Sequence, residues 1–371
     1  MDIAFHYCCV KVLAVKAGFL PEEAQIIAYA SQYTDDATEW QPLRVNGLPA
    51  IPGLRVDAEG RFDPICTAHY SPKEAILPNM EMQKKVYVPF HFLPPFSKSQ
   101  PTAQGFFDYL VAPDSPLARE LVVAAREKND GPRELQLIRL GVALHTFADT
   151  WAHQGFSGRN CQPDNDIDCI EVFRPGGEWD TVFSLTNNMV PMGHLQAQTY
   201  PDRSQTTWKF TRQSDAAQVV RKNSDIFLAA AGRVYEELQK TPRAGEAADW
   251  ESFKNRIAAV FSIPPTAGAK VIGALDVILD KIGLANLVEK AREKCLQKWA
   301  EAFPEVSFAY DAKEWRRLGL NGRHHRWDNL RAEDYQTLVY DYAGNPRFFH
   351  FHVAAKEQRD FVHANVRVDL R

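Results

Sequence analysis

Residues 144–158, LHTFADTWAHQGFSG, restrict this chain more than any other stretch. They hold His145, Asp149 and His153, each four residues after the last. On an α-helix, positions i and i+4 stand one above the other, so the three draw a single polar stripe along an otherwise apolar helix. Imidazole and carboxylate are preferred zinc ligands, and an aspartate between two histidines can bridge two ions. The plain alternative is a buried polar seam in which each histidine bonds the aspartate. Burying three titratable groups without a strong partner is costly, and that cost favours a metal.

The composition is ordinary for a globular protein: 371 residues, 45% hydrophobic, 24% charged, net charge −4. No block of Lys and Arg forms a basic face, which argues against tight duplex nucleic-acid binding by phosphate neutralisation. The N-terminal segment lacks a basic leader, and His6 and Lys11 interrupt its apolar run, so no signal peptide is expected. No window reaches the roughly 18 apolar residues of a transmembrane helix. The six cysteines form no Cys-x-x-Cys pair, which excludes a zinc ribbon. A reduced, cytoplasmic protein is expected, with Cys161 and Cys169 bridging only if the chain were exported.

Helical periodicity runs over residues 3–18 and stops at Gly18. Pro21 opens a second helix through residue 40, with Gln32, Asp35, Asp36 and Glu39 on one face. Glu39 reads as a solvated helix end, and Asp35 or Asp36 as a residue of the polar site. The short turn at 18–21 predicts an antiparallel helical hairpin that brings His6 beside Asp35 and Asp36. Residues 41–112 are rich in Pro and Gly and read as a long loop with one short hairpin near Gly60, the usual form of a functional excursion. Within it His69 is ambiguous, and His91, in VPFHFLPPF, reads as a packed core histidine.

Helices are expected at 115–128 and 132–154. Residues 156–190 read as loop, with Asp164, Asp166, Asp168 and Glu171 solvated, followed by a short helix holding His194. Residues 212–303 read as long amphipathic helices, with further helical segments at 332–344 and 348–366. His350 and His352 stand two apart and make poor chelators on a helix, while His324 and His325 read as a polar turn. With no repeat and no composition break, the expectation is one all-α, multi-helix domain over 1–371 with long loop excursions. Its core motifs lie at 1–40 and 135–205, and its C-terminal helices at 206–371.

GVALHTFADTWAHQGFSG, with the early His6 and the GH…PD segment around His194, resembles the zinc-dependent phospholipase C and single-strand nuclease superfamily. FHYCCVKVLAVKAGF and IIAYASQYTDDAT look like a branch of it catalogued only as a domain of unknown function. The resemblance implies an all-helical fold around a zinc cleft with one to three ions. It implies His6, His145, Asp149, His153 and His194 as metal ligands, Asp35 or Asp36 as ligand and catalytic base, and His69 as the loop histidine. Two features depart from the family. Gln198 stands where the family has Glu, four after the last His, and Asp202 can substitute if the chain turns back. The family's secreted enzymes also use a free N-terminal amine as a ligand, whereas here five residues precede His6.

These observations point to a zinc-dependent hydrolase, phosphodiesterase- or phospholipase-like, acting on a small-molecule or phosphoester substrate. The rivals are a metalloenzyme acting on a carboxylic or amide substrate, and a non-catalytic helical binding protein on the same scaffold.

Overall fold

The computed structural model describes residues 1–40, 42–46, 56–68, 80–97, 109–174, 176–182, 192–263, 285–319, 339–342 and 345–366. His69, His324 and His325 lie outside the described residues. The chain starts as a π-helix over Ala4–Cys9 and continues as α1 (Val10–Lys16). Gly18, at φ +97°, ends it in a conformation that suits glycine, and a Cβ there would meet Gly245 O at 2.5 Å. Helix α2 (Pro21–Asp36) opens with Pro in its first turn, where a missing N–H costs nothing, and with Glu22 and Glu23 against the helix dipole. It returns alongside α1, as the short connection predicts.

The remaining longer helices are α3 (Pro116–Glu127), α4 (Arg133–Ala152), α5 (Asn223–Gln239), α6 (Lys254–Ser262), α7 (Ala285–Ala302), α8 (Glu314–Gly319) and α9 (Pro346–Asn365). Helix α4 is central. Every residue from Leu137 to Ala152 is buried, which is how a helix hydrophobic on all sides behaves. Helices α2, α3, α5 and α9 surround it, together with a second π-helical segment, Gln83–His91.

The closest approach is at Gly141, where a Cβ would stand 2.4 Å from Ile27 O and 2.7 Å from Ala30 Cβ. That contact is backbone against backbone and cannot relax by rotating a side chain. Gly141→Ala is therefore expected to destabilise the fold by about 1–3 kcal/mol through overpacking. Urea unfolding measures it, and an unchanged midpoint would show that the two helices separate freely.

The all-α expectation is overturned: the protein is a mixed α/β fold with two sheets. One has the order β2-β1-β7, from Leu43–Asn46 (β1), Arg61–Phe62 (β2) and Val339–Asp341 (β7). The short hairpin around Gly60 is closed by the antiparallel Val56–Phe62 bridge, while β1 pairs antiparallel with β2 and parallel with β7. The other is an antiparallel sheet ordered β4-β3-β5-β6, from Ile167–Phe173 (β3), Trp179–Thr181 (β4), Thr207–Arg212 (β5) and Gln218–Lys222 (β6). These strands fall in segments read as loop or helix. β3 is broken by a register shift between Asp168 and Glu171, with Cys169 at φ +52°, so it lacks clean alternation. The remaining strands of this sheet are short, and their identity comes from cross-strand partners. Trp208, Phe210, Ile167, Ile170 and Phe156 build a second, smaller core under this sheet.

Three expected solvated acids are also buried, among them Asp166, which accepts from Gln162 Nε2 at 3.1 Å. Glu39 pairs with Arg316 at 3.0 Å. Asp164 accepts from Ser157 Oγ at 2.8 Å. Among the described residues no helix is long and apolar enough to cross a membrane.

Candidate metal centre

Helix α4 delivers His145 and Asp149 to one buried face, and His153 follows as its C-terminal cap residue. The Gly141 contact one turn earlier lets α2 come close enough for Ser31 O to accept from His145 Nδ1 at 2.8 Å. Three groups of potential ligands result: His6, His145 and Asp149; Asp35, His91 and His145; and His153, His194 and Asp202. Within each group the ligand atoms lie within 4.8 Å of one another.

The outer nitrogens decide what these histidines offer. His145 Nδ1 faces Ser31 O, His91 Nε2 faces Thr67 O (2.8 Å), His153 Nδ1 faces His91 O (2.7 Å) and His194 Nδ1 faces Gln198 O (2.8 Å). A carbonyl only accepts, so each of those nitrogens carries the proton. In a neutral ring the other nitrogen then presents a lone pair to the centre. His145 Nε2 and His91 Nδ1 stand 3.2 Å apart with no hydrogen to share between them when both rings are neutral. Only a proton or a cation between them makes that approach favourable. Outer-nitrogen anchoring of this kind is how metal-ligating imidazoles are held.

Asp149 is the hub, and its two oxygens divide the site. Oδ1 accepts from the Met1 amine at 2.5 Å and faces His6 Nε2 at 3.1 Å. Oδ2 faces His91 Nδ1 and His145 Nε2, each at 3.3 Å. The Met1 amine also lies 3.3 Å from Asp202. Asp202 in turn faces His153 at 3.0 Å and His194 at 3.3 Å.

The electrostatics follow from this crowding. Burial works to raise the Asp149 carboxyl, but His153, the Met1 amine, His145 and His6 hold it well below the usual carboxylate range. Burial lowers the Met1 amine, yet Asp149, Asp202 and Asp35 outweigh it and lift it to about 11. Burial carries His194 down to about 4 against the pull of Asp202. His6 is buried, and its Nδ1 has no hydrogen-bond partner among the described residues.

His6, Asp35, His145, Asp149, His153, His194 and Asp202 thus come together. Asp36 does not join them: its carboxylate accepts from Arg292 at 2.7 Å and from Tyr310 at 2.5 Å. Asp35 faces His145 at 3.6 Å, His91 at 3.8 Å and His6 at 4.0 Å. Gln198 contributes its main chain: at φ +52° it turns its carbonyl onto His194, and the chain doubles back to present Asp202. Non-glycine residues held in such backbone regions cluster at functional sites.

His91 is the residue that sequence reasoning missed. Its apolar neighbours suggested core packing, yet a histidine buried among apolar residues must still find polar partners. Its partners are Thr67, His145, Asp149 and Asp35.

Fold and site together define a mixed helix–sheet protein with a buried histidine–aspartate cluster at the hub of its helices. The chain belongs to the Family of unknown function (DUF6765), whose profile matches residues 1–366. No curated protein and no solved structure matches it.

Proposed function

We propose that this protein is a metal-dependent hydrolase, with zinc as the metal and a phosphoester as the substrate. The observation that carries the reading is the set of four imidazoles whose outer nitrogens are committed to backbone carbonyls while their inner nitrogens converge on three carboxylates. Nitrogen and oxygen donors in groups of three match the ligand set of catalytic zinc, which keeps its fourth position for water or substrate.

The likeness to the zinc phospholipase C and nuclease superfamily rests on these residues alone. In this reading His6, Asp35, His145, Asp149, His153 and His194 would serve as the ligands that the likeness implies, with Asp202 in place of its glutamate, and His91 is a further donor beside them. Two ligand groups share His145, which has only Nε2 to give, so Asp149 is the residue with an oxygen for each side.

When bound, zinc supplies Lewis acidity toward a phosphoryl oxygen and makes water more acidic. The protein's own residues do the rest. The side chains of Asp35, His194 and Asp202 are 29%, 17% and 20% exposed, whereas His6, His145 and Asp149 are sealed. Solvent and substrate therefore enter along the edge that carries Asp35. Its carboxylate is placed to orient a water and take its proton, and the buried carbonyl anchors keep the imidazoles from turning away.

The test is metal analysis of the purified protein together with a panel of phosphodiester and phospholipid substrates. Asp35→Asn is expected to lower turnover by about 10²–10⁴-fold, the usual worth of a positioned general base. Asp36→Asn is expected to keep turnover and to lose stability through its unpaired Arg292. Equal activity in both variants, or a protein that retains no metal, would overturn the reading.

A further inference from the structure

The arm that carries His91 is a π-helix with prolines in it and after it. A π-helical ladder runs from the N–H of residue i+5 to the carbonyl of residue i, as Phe92 N to Tyr87 O does at 2.8 Å. Proline has no N–H. Pro89 therefore leaves the carbonyl of Lys84 without a ladder donor, and the end of the helix at His91 leaves those of Pro89 and Phe90 without one, with Pro94 and Pro95 following.

Each of those carbonyls is taken by a side chain from another helix. His363 Nε2 donates to Lys84 O at 2.9 Å, and Gln358 Nε2 donates to Pro89 O at 2.9 Å. Thr146 Oγ1 donates to Phe90 O at 2.7 Å, and Gln358 Nε2 also reaches Thr146 Oγ1 at 2.7 Å. Thr146 is the residue after His145 on α4, and Gln358 lies on α9. Both are buried.

We infer that Thr146 and Gln358 are positioning residues for the metal centre, and that α9 exists in part to aim His91. The inference rests on the metal-centre reading above. The two carbonyls they hold immediately precede His91, so they fix the direction in which its ring leaves the chain. The next carbonyl, His91 O, accepts from His153 Nδ1 at 2.7 Å, so the same arm also orients a histidine of the third ligand group. Gln358 Oε1 is buried with no partner among the described residues. An unmet buried oxygen destabilises the fold where an apolar residue of the same shape would not, so packing alone does not account for a glutamine here.

The test uses cobalt(II) as the probe on the full chain, read by visible absorption and by competition titration. Thr146→Val removes the hydroxyl and keeps the shape, Thr146→Ser keeps the hydroxyl, and Gln358→Met removes the amide from the other helix. Loss of a hydrogen bond behind a ligand weakens metal affinity by about 10–100-fold. That loss, with an altered cobalt band, is expected in Thr146→Val and in Gln358→Met, and Thr146→Ser should restore both. Should Thr146→Val fail to fold, Gln358→Met carries the same comparison. Variants that melt lower yet bind cobalt with the wild-type affinity and spectrum would overturn the positioning role and leave the metal centre standing. A wild-type protein that takes up no cobalt would overturn both.

Discussion

Removing metal with a chelator is expected to lower the melting temperature, and restoring zinc to raise it. Without an ion, the centre holds inward-facing nitrogens 3.2 Å apart at His145 and His91, and three aspartates gathered around one amine. A cation relieves both and binds only where the fold has assembled the ligands. Stabilisation then follows mass action, about 4 kcal/mol per ion at free zinc a thousandfold above Kd. For a chain of 371 residues this corresponds to a rise on the order of 5 °C per ion. Protons compete for the same nitrogens, so the shift should shrink as pH falls. Calorimetry with verified metal removal decides it. Identical curves for stripped and loaded protein would favour a non-catalytic binding protein on this mixed helix–sheet scaffold.

The second large effect is expected at Asp149. Its side chain is 1% exposed and faces the Met1 amine, His6, His91 and His145. Removing one side of a buried charge pair leaves the other uncompensated, at about 3–5 kcal/mol. Asp149→Ala should therefore unfold at markedly lower urea than wild type. Asp149→Asn keeps the shape and loses the charge, so it separates packing from electrostatics. It should recover part of the stability and still fail to hold a full metal complement. An Asn variant that keeps every ion would mean that this carboxylate is a structural counter-charge and not a bridging ligand.

How much of the site was legible follows from where each piece of information resides. The stripe of His145, Asp149 and His153 is a matter of helical period, and so is the hairpin that returns Asp35 toward His6. The prolines of VPFHFLPPF were visible too, but their consequence was not. Free carbonyls at Lys84, Pro89 and Phe90 signify only once α4 and α9 supply Thr146, Gln358 and His363 to meet them.

The sequence by itself determined the elements whose signals are local: α1 with its glycine stop, α2 with its proline start, the central helix α4, and the four-residue spacing of its ligands. Tertiary structure decided what depends on rotation or on distant partners. Asp35 and Asp36 differ by about 100° around α2, and only the packing of α2 on α4 turns Asp35 inward and leaves Asp36 to Arg292 and Tyr310. Asp202 reaches the site only because Gln198 takes a left-handed turn. The strands β3 to β6 exist because each finds its neighbour across the sheet. Periodicity is written residue by residue, whereas pairing and burial belong to contacts between segments far apart in the chain.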